Sequence, residues 1–132
     1  MTSFFKKSSN ETAVSKFRDP DDRLITYEDL SKIPLNQTVD IVKGIKGAIE
    51  CTRISSTNET SLMFTVTMKA GQIWEKHHHD CFEICVVYKG ELLDLISGKS
   101  AKTAQAITFD KYVTHFVKAN KDTIFYVEFK KP

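Results

Sequence analysis

A short segment near the middle of the chain carries most of the residues that could do chemistry. Residues 77–83 read His-His-His-Asp-Cys-Phe-Glu, so three of the four histidines are consecutive and carboxylates follow closely. The fourth histidine, His115, lies in a later segment with a β-like pattern. Neutral imidazole is the commonest metal ligand in proteins, and imidazole with carboxylate suits iron, manganese, nickel, copper or zinc. The residue types therefore point to a transition-metal site.

The spacing of these residues decides which of them can meet. Successive side chains of a β-strand alternate between its faces, so His77 and His79 share a face and His78 points away. A short turn after them would return the chain on a neighbouring strand, where Glu83 would face the two histidines. His115 could add a fourth ligand from across a sheet or barrel.

On residue chemistry alone, the histidine run need not be a metal site of the folded protein. Purification tags also contain consecutive histidines, but they are longer and usually terminal. The run could instead belong to a solvated polar loop, or to a site that has lost the metal it once bound.

Length and composition indicate a single globular domain. The chain has 132 residues, enough for one core and too few for two, with 41% hydrophobic and 27% charged residues.

A net charge of +2 gives no strong attraction to nucleic acid or to an anionic membrane, so we expect neither as a partner. No apolar run approaches the ~20 residues that span a bilayer, and the first residues lack a signal-peptide core. Three cysteines form no even disulfide set, which favours a reducing, cytoplasmic location.

We expect the chain to divide into an N-terminal arm and a β-domain. The arm, residues 1–35, would pack on the β-domain or on a partner subunit, and a capping-box pattern at residues 26–29 predicts a short helix over residues 27–33. Residues 36–132 change to a period of two, with Gly, Asn and Asp turn signals, which predicts about nine short strands and an all-β sandwich or barrel. The predicted strands cover residues 39–42, 48–54, 61–69, 73–79, 82–88, 91–96, 104–109, 114–117 and 123–129.

The strand predicted over residues 82–88 is apolar on both faces. Glu83 shares one face with Cys85 and Val87. The other face carries Phe82, Ile84, Val86 and Tyr88. A strand that is apolar on both faces is normally buried on both. We therefore expect the second face to be covered by the N-terminal arm or by another copy of the chain, which favours a homodimer.

Glycine, histidine and glutamate recur at a spacing that resembles the first motif of the cupin superfamily. Five residues separate Gly71 from His77, one separates His77 from His79, three precede Glu83, and six precede Gly90. The resemblance implies a small antiparallel double-sheet jelly-roll barrel of the RmlC-like kind, in agreement with the strand count.

The second cupin motif is matched in part. His115 stands where that motif has its histidine, but Asp110 and Tyr112 replace the usual proline and glycine. Asn120 follows His115 after four residues instead of three. The resemblance covers roughly residues 40–130, and the turn before His115 must be built differently.

The resemblance implies that His77, His79, Glu83 and His115 hold one divalent metal ion. The ion would be Fe, Mn, Ni, Cu or Zn, and one or two of its coordination positions would stay open for substrate, dioxygen or water. No other cofactor is implied.

Two kinds of function follow from an open-sided metal in an apolar barrel. The ion can act as a Lewis acid, activate a bound water, or bind dioxygen beside a chelating substrate. The favoured function is a metal-dependent enzyme of the dioxygenase, isomerase or lyase type that acts on a small molecule in the barrel cavity. The alternative is a non-catalytic metal- or ligand-binding cupin that serves as a sensor or storage module. No catalytic residue beyond the ligands is indicated, and the candidates for lining the cavity are Cys85, Val87, Trp74 and Tyr112.

Overall fold

The computed structural model describes residues 19–132 and shows a chain built mainly of antiparallel β-strands. One short helix in this range, α1, spans Tyr27–Ser31. The strands of the same range are β1 (Arg23–Leu24), β2 (Thr38–Val39), β3 (Gly44–Ile45), β4 (Glu50–Ile54), β5 (Ser61–Met68), β6 (Ile73–Trp74), β7 (His77–His78), β8 (Glu83–Lys89), β9 (Glu91–Asp94), β10 (Ser100–Lys102), β11 (Ala106–Phe109), β12 (Val117–Ala119) and β13 (Thr123–Lys130).

Two antiparallel sheets contribute to one core. One sheet has six strands in the order β11-β8-β13-β5-β4-β2, and the other has five in the order β10-β9-β12-β6-β3. Buried side chains from both sheets form a single hydrophobic cluster, which includes Phe64 and Phe125 from the larger sheet and Leu92 and Ala119 from the smaller. The predicted all-β jelly-roll architecture is thereby confirmed, as a double-sheet sandwich.

Strand β8 lies between β11 and β13 and buries only one of its faces within the described chain. Glu83, Cys85 and Val87 are buried on the inner face. On the outer face Val86 is 40% exposed and Tyr88 is 61% exposed. Residues 19–132 therefore leave this face open, and its burial by the arm or by another copy of the chain stays a prediction. Residues 1–18 of the predicted arm lie outside the described residues, and the division into arm and β-domain stays a prediction.

The predicted capping box is present at the start of α1. The hydroxyl oxygen of Thr26 accepts a hydrogen bond from the amide of Asp29 at 3.0 Å, and Oδ2 of Asp29 accepts from the amide of Thr26 at 3.2 Å. The helix ends at Ser31, earlier than predicted. Arg53 donates hydrogen bonds to the carbonyl oxygens of Ser31 and Ile33, at 2.9 and 2.6 Å, and so satisfies groups that a longer helix would use. No helix in the described part is long and apolar enough to cross a membrane.

The strand pattern departs from the prediction where the strands are short. Strands β1, β3 and β10 were not expected, because two or three residues are too few for an alternating pattern to show. The predicted strand over residues 73–79 is divided into β6 and β7. Strand β6 pairs with β3 and β12, whereas β7 pairs with β1, so the two halves belong to different sheets.

The segment before α1 lies along the histidine strand. Strand β1 pairs with β7 in parallel. The amide of Ile25 donates to the carbonyl oxygen of His78 at 2.9 Å, and the amide of Tyr27 donates to Oδ1 of Asp80 at 2.7 Å. This part of the predicted arm therefore supports the main chain that carries the histidines.

Candidate metal centre

Three histidines from two distant parts of the chain meet in the interior. His77 lies in β7, His79 follows that strand, and His115 precedes β12. One ring nitrogen from each residue lies within 4.8 Å of the other two. None of the three side chains is more than 3% exposed. Their type, burial and spacing allow them to hold a metal ion.

Main-chain hydrogen bonds set the separation of His77 and His115. The amide of His77 donates to the carbonyl oxygen of His115 at 3.2 Å, and the amide of His115 donates back at 2.7 Å, forming an isolated antiparallel bridge. Residues that exchange both hydrogen bonds in this way have Cα atoms about 5.5 Å apart, and their side chains lie on the same face. Their rings lie with centroids 5.0 Å apart, and the ring of His79 lies 5.2 Å from each.

Glu83 reaches the histidines from the six-stranded sheet. It begins β8, which pairs with β11 and β13 and not with β7. The expectation that a turn returns Glu83 on the strand beside His77 is therefore wrong, because residues 79–82 carry the chain between sheets. The carboxylate still converges on the histidines: Oε1 lies 3.2 Å from Nε2 of His79 and 3.3 Å from Nδ1 of His115.

Two buried polar atoms of this group have no hydrogen-bond partner among the described residues. They are Nε2 of His79 and Oε1 of Glu83. A buried polar atom left unpaired costs about 1–3 kcal/mol, so such a pair is uncommon in a native core. A cation held between the carboxylate and the imidazoles would satisfy both atoms at once. The donor set therefore fits a transition-metal ion.

Main-chain carbonyls hold the rings of His77 and His79. Nδ1 of His77 lies 2.8 Å from the carbonyl oxygen of Glu75, and Nδ1 of His79 lies 2.8 Å from that of Ile25. A carbonyl oxygen only accepts, so each Nδ1 carries the proton and each Nε2 keeps its lone pair. This arrangement fixes the tautomer and the ring orientation that a metal ligand needs.

His78 belongs to a different interaction. Its Nδ1 lies 2.8 Å from Oδ1 of Asp22, and both side chains are buried. The hydroxyl of Thr114 donates a hydrogen bond to Oδ2 of the same aspartate. Strand parity therefore separates His78 from its neighbours as expected, and the residue ties the segment before α1 to the histidine strand.

The turn before His115 shows how the chain does without the glycine of the second cupin motif. Tyr112 has φ of +64°, in the left-handed region that glycine normally occupies. Its amide donates to the carbonyl oxygen of His79 at 2.7 Å, and the amide of Val113 donates to that of Asp110 at 3.2 Å. Because the main chain of Tyr112 is tied to His79, the departure from the motif leaves His115 in position.

Burial and the neighbouring charges set the protonation states of His77, His115 and Glu83. Burial lowers the pKa of His77 to about 4, and repulsion from His79 adds to the effect. Burial also lowers the pKa of His115 to about 3. For Glu83, burial raises the pKa, but attraction to His115 and His79 outweighs it and brings the pKa to about 2. At neutral pH His77 and His115 are neutral and Glu83 is ionised, which are the states that bind a metal.

A small cavity adjoins the group. Its volume is about 10 Å³, which leaves room for about one water molecule. Trp74 lines the cavity, as the sequence suggests, whereas Cys85, Val87 and Tyr112 are not among its walls. Cys85 lies against the far oxygen of Glu83, and Val87 lies further along β8 in the core.

Sequence reasoning missed the other walls of the cavity. Besides Trp74 and the site residues, they are Ile41, Cys51, Val127 and Phe129. Val127 and Phe129 follow the inward alternation of β13, so the strand period could have found them. Ile41 and Cys51 carry no such signal, because their place depends on how β2 and β4 lie relative to the site.

The cysteines near the site are thiols with no disulfide among the described residues. The Sγ of Cys85 donates a hydrogen bond to Oε2 of Glu83 at 3.1 Å. Cys81, in the turn between His79 and Glu83, is buried, and burial raises the pKa of its thiol to about 12. Cys81 is therefore not an exposed thiol, and its burial disfavours the thiolate, which is the reactive form.

Solved structures of other proteins share this fold. An acetylacetone dioxygenase from Acinetobacter johnsonii is 20% identical, with a TM-score of 0.59 over 75% of this chain and 71% of that one. An RmlC-like cupin from Shewanella frigidimarina is 15% identical, with a TM-score of 0.59 over 76% of this chain and 91% of that one. A protein from Methylibium petroleiphilum is 17% identical, with a TM-score of 0.57 over 66% of this chain, and the present chain spans 64% of its length. No protein-family model and no curated protein matches the sequence. The chain therefore has the cupin fold.

Proposed function

We propose that this protein binds one divalent transition-metal ion through His77, His79, Glu83 and His115, and that it is a metal-dependent enzyme of the dioxygenase type. The observation that carries the proposal is the cluster of three buried imidazoles, two of which lie within 3.3 Å of a buried carboxylate oxygen, with two polar atoms left unpaired. Histidine and carboxylate sets suit Fe, Mn, Ni, Cu and Zn, and a related set of two histidines and one carboxylate with open positions is typical of Fe(II) oxygenases.

Different residues of the chain would have different roles at such a site. A bound metal would supply a Lewis acid with open positions for a chelating substrate and dioxygen. Glu83 offsets part of the positive charge, and the carbonyls behind His77 and His79 hold the two rings at fixed angles. The apolar walls, including Trp74 and Phe129, limit the water that reaches the reacting atoms.

The proposed substrate is a small chelating compound, with a keto group or a thiol, bound in the cavity. The acetylacetone dioxygenase that shares the fold is named for a diketone substrate. An apolar cavity beside a charged centre suits a compact molecule with one polar, chelating end. Isomerase and lyase chemistry on a small molecule would use the same ligands.

A non-catalytic metal- or ligand-binding role, as a sensor or storage module, is the second candidate. The size of the cavity favours it: at about 10 Å³ it holds about one water molecule, so no organic substrate fits beside the histidines unless side chains move.

Two measurements separate these functions. Elemental analysis of the untagged protein should find about one metal ion per chain, lost when His77 and His79 are both changed to Ala. Oxygen uptake by the Fe(II)-loaded protein should then appear with some members of a panel of diketones, thiols and catechols. Metal binding without uptake favours the binding module. Absence of metal after incubation with Fe(II), Mn(II), Ni(II) and Zn(II) would overturn both functions.

We also propose a homodimer that forms through the outer face of the six-stranded sheet. Val86 and Tyr88 are 40% and 61% exposed there, and the ring of Tyr88 lies edge-on to that of Tyr126 at 6.1 Å. Val86 lies opposite Tyr126 in the ladder between β8 and β13, and neighbouring exposed apolar side chains of this kind are used in protein–protein contacts.

A further inference from the structure

Two spaces in the protein meet at a single side chain. An outer groove of about 320 Å³ is lined by residues in and next to β1 and α1, and by residues 39–41 at the end of β2, with Ile33 among its walls. The inner cavity beside the histidines has a volume of about 10 Å³. Ile41 is the one described residue that lines both spaces. Ile41 therefore lies where the groove and the cavity adjoin.

The main chain around Ile41 has few restraints. Val39 pairs with Cys51 in the ladder between β2 and β4, and the carbonyl oxygen of Val42 accepts a hydrogen bond from the indole of Trp74 at 3.1 Å. Between these anchors, no main-chain hydrogen bond to Asp40 or Ile41 occurs within the described part of the chain. The Ile41 side chain is partly buried and packs against the hydrophobic core. Among the described residues, packing is therefore the restraint on this side chain.

We infer that Ile41 is the gate of the metal cavity and limits by size the molecules that reach the histidines. Segments with few hydrogen bonds open at a lower free energy than strands in a ladder. Displacement of this one aliphatic side chain would join the cavity to the groove. The role of Ile41 rests on the proposed function, because a gate acts on a reaction only if the cavity receives a ligand.

Movement of Ile41 would also explain how an organic substrate could enter a cavity whose volume is smaller than the substrate. With Ile41 in place, the cavity accepts a molecule of about the size of water. The groove, at about 320 Å³, lies at the lower end of the range of roughly 300–1,000 Å³ found for small-molecule sites. A compact organic molecule can therefore occupy the groove and pass to the histidines when Ile41 moves.

Trp74 provides a reporter of access that does not need a metal. It is the sole tryptophan of the chain, is 6% exposed, and lines the inner cavity. Acrylamide, a neutral organic molecule larger than water, quenches tryptophan fluorescence on contact. The acrylamide quenching constant of the metal-free protein therefore measures how readily such a molecule reaches the cavity.

Truncation of Ile41 should open the cavity. We expect Ile41→Ala to raise the acrylamide quenching constant at least about twofold, and Ile41→Val to raise it by less, because a shorter side chain leaves the two spaces joined for more of the time. Ile33→Ala is the matched control: it removes the same atoms from a wall of the groove that does not adjoin the cavity, and should leave the constant unchanged. Quenching by dissolved oxygen, a much smaller molecule, should differ less among the variants.

Equal quenching constants for Ile41→Ala and Ile33→Ala, with both proteins folded by circular dichroism, would overturn the gate. If Ile41→Ala does not fold, Ile41→Val against Ile33→Val decides the same question with less loss of packing. Elemental analysis of the wild-type protein tests the proposed function separately. A protein that binds no metal, yet shows the expected quenching, would remove the proposed function and leave Ile41 as the gate of the cavity.

Discussion

The thiol of Cys85 donates a hydrogen bond to Oε2 of Glu83, with 3.1 Å between sulfur and oxygen. The other carboxylate oxygen, Oε1, is directed at His79 and His115. One oxygen is thus held by the chain and the other is left for the proposed metal ion. Burial, together with the charge of Glu83, raises the pKa of Cys85 well above its usual value, which keeps the proton on sulfur. Cys85 is therefore a positioning residue for the carboxylate.

Removing the thiol should weaken metal binding without removing a ligand. We expect Cys85→Ala to lower the affinity for Zn(II) about tenfold, because loss of a group that orients a ligand typically has an effect of that size. Competition with a chromophoric chelator measures the affinity. Cys85→Ser, which keeps a donor, should bind more tightly than Cys85→Ala, and Cys81→Ala is the control for loss of a buried thiol. Wild-type affinity in Cys85→Ala would show that the hydrogen bond has no positioning role.

Adjacent histidines should respond in opposite ways to the same substitution. His79→Ala removes a proposed ligand and should abolish metal binding. His78→Ala removes the donor to Oδ1 of Asp22 and should retain the metal, but lower the free energy of unfolding by about 1–3 kcal/mol. Metal content by elemental analysis and stability by urea unfolding give the two readouts. Loss of metal in His78→Ala, with the protein still folded, would contradict the assignment by strand parity.

Strand period and motif spacing together predict which side chains could form the site. The alternation of β7 separates His78 from His77 and His79, and the glycine spacing of the first motif places Glu83 near them. The geometry then brings His77, His79, Glu83 and His115 together, and their role as metal ligands stays a prediction. The local sequence pattern predicts these positions because each residue lies in, or next to, a strand whose side chains alternate between its two faces.

Contacts between residues distant in sequence, and hydrogen bonds from main-chain groups, also position the site, but the sequence pattern does not predict them. The carbonyl of Ile25 holds His79 across more than fifty positions of sequence, and a carbonyl group is common to every residue and so carries no signal. Placing β7 and β8 in different sheets depends on which strands pair, which residues 79–82 do not reveal. Tyr112 adopts a glycine-like φ because its amide is bonded to His79, so tertiary contact overrides its local preference.

The outer face of the six-stranded sheet should control the oligomeric state. If two copies pack through this face, Tyr88→Lys will place a charge in the contact and shift the protein from dimer to monomer. Ile96→Lys is the control, because Ile96 is 54% exposed and lies outside this sheet, between β9 and β10. Light scattering coupled to gel filtration measures the mass. A monomeric wild-type protein, or a dimer unaffected by Tyr88→Lys, would rule out this interface.

Acid should destabilise the metal-free protein within a defined window. The folded-state pKa of His77 is about 4 and that of His115 about 3, both below the ordinary value of 6.5. As the pH falls below 6.5, the unfolded chain takes up protons at these residues while the folded chain does not, so the stability present above 6.5 is lost towards pH 4. Each histidine adds a slope of at most about 1.4 kcal/mol per pH unit. Below 4.5 Glu83 acts in the same direction, because its folded-state pKa is lowered to about 2.

Urea unfolding of the metal-free protein from pH 7 to pH 4.5 measures this loss. His77→Gln, which removes one of the two titrating groups, should reduce the slope by about 1.4 kcal/mol per pH unit at most. A surface control is Lys32→Gln, since the side chain of Lys32 is 70% exposed and lies outside the histidine group; it should leave the slope unchanged. Stability that stays constant across the window would show that the buried histidines are protonated in the folded chain, and that His77 and His115 are not held neutral for a metal.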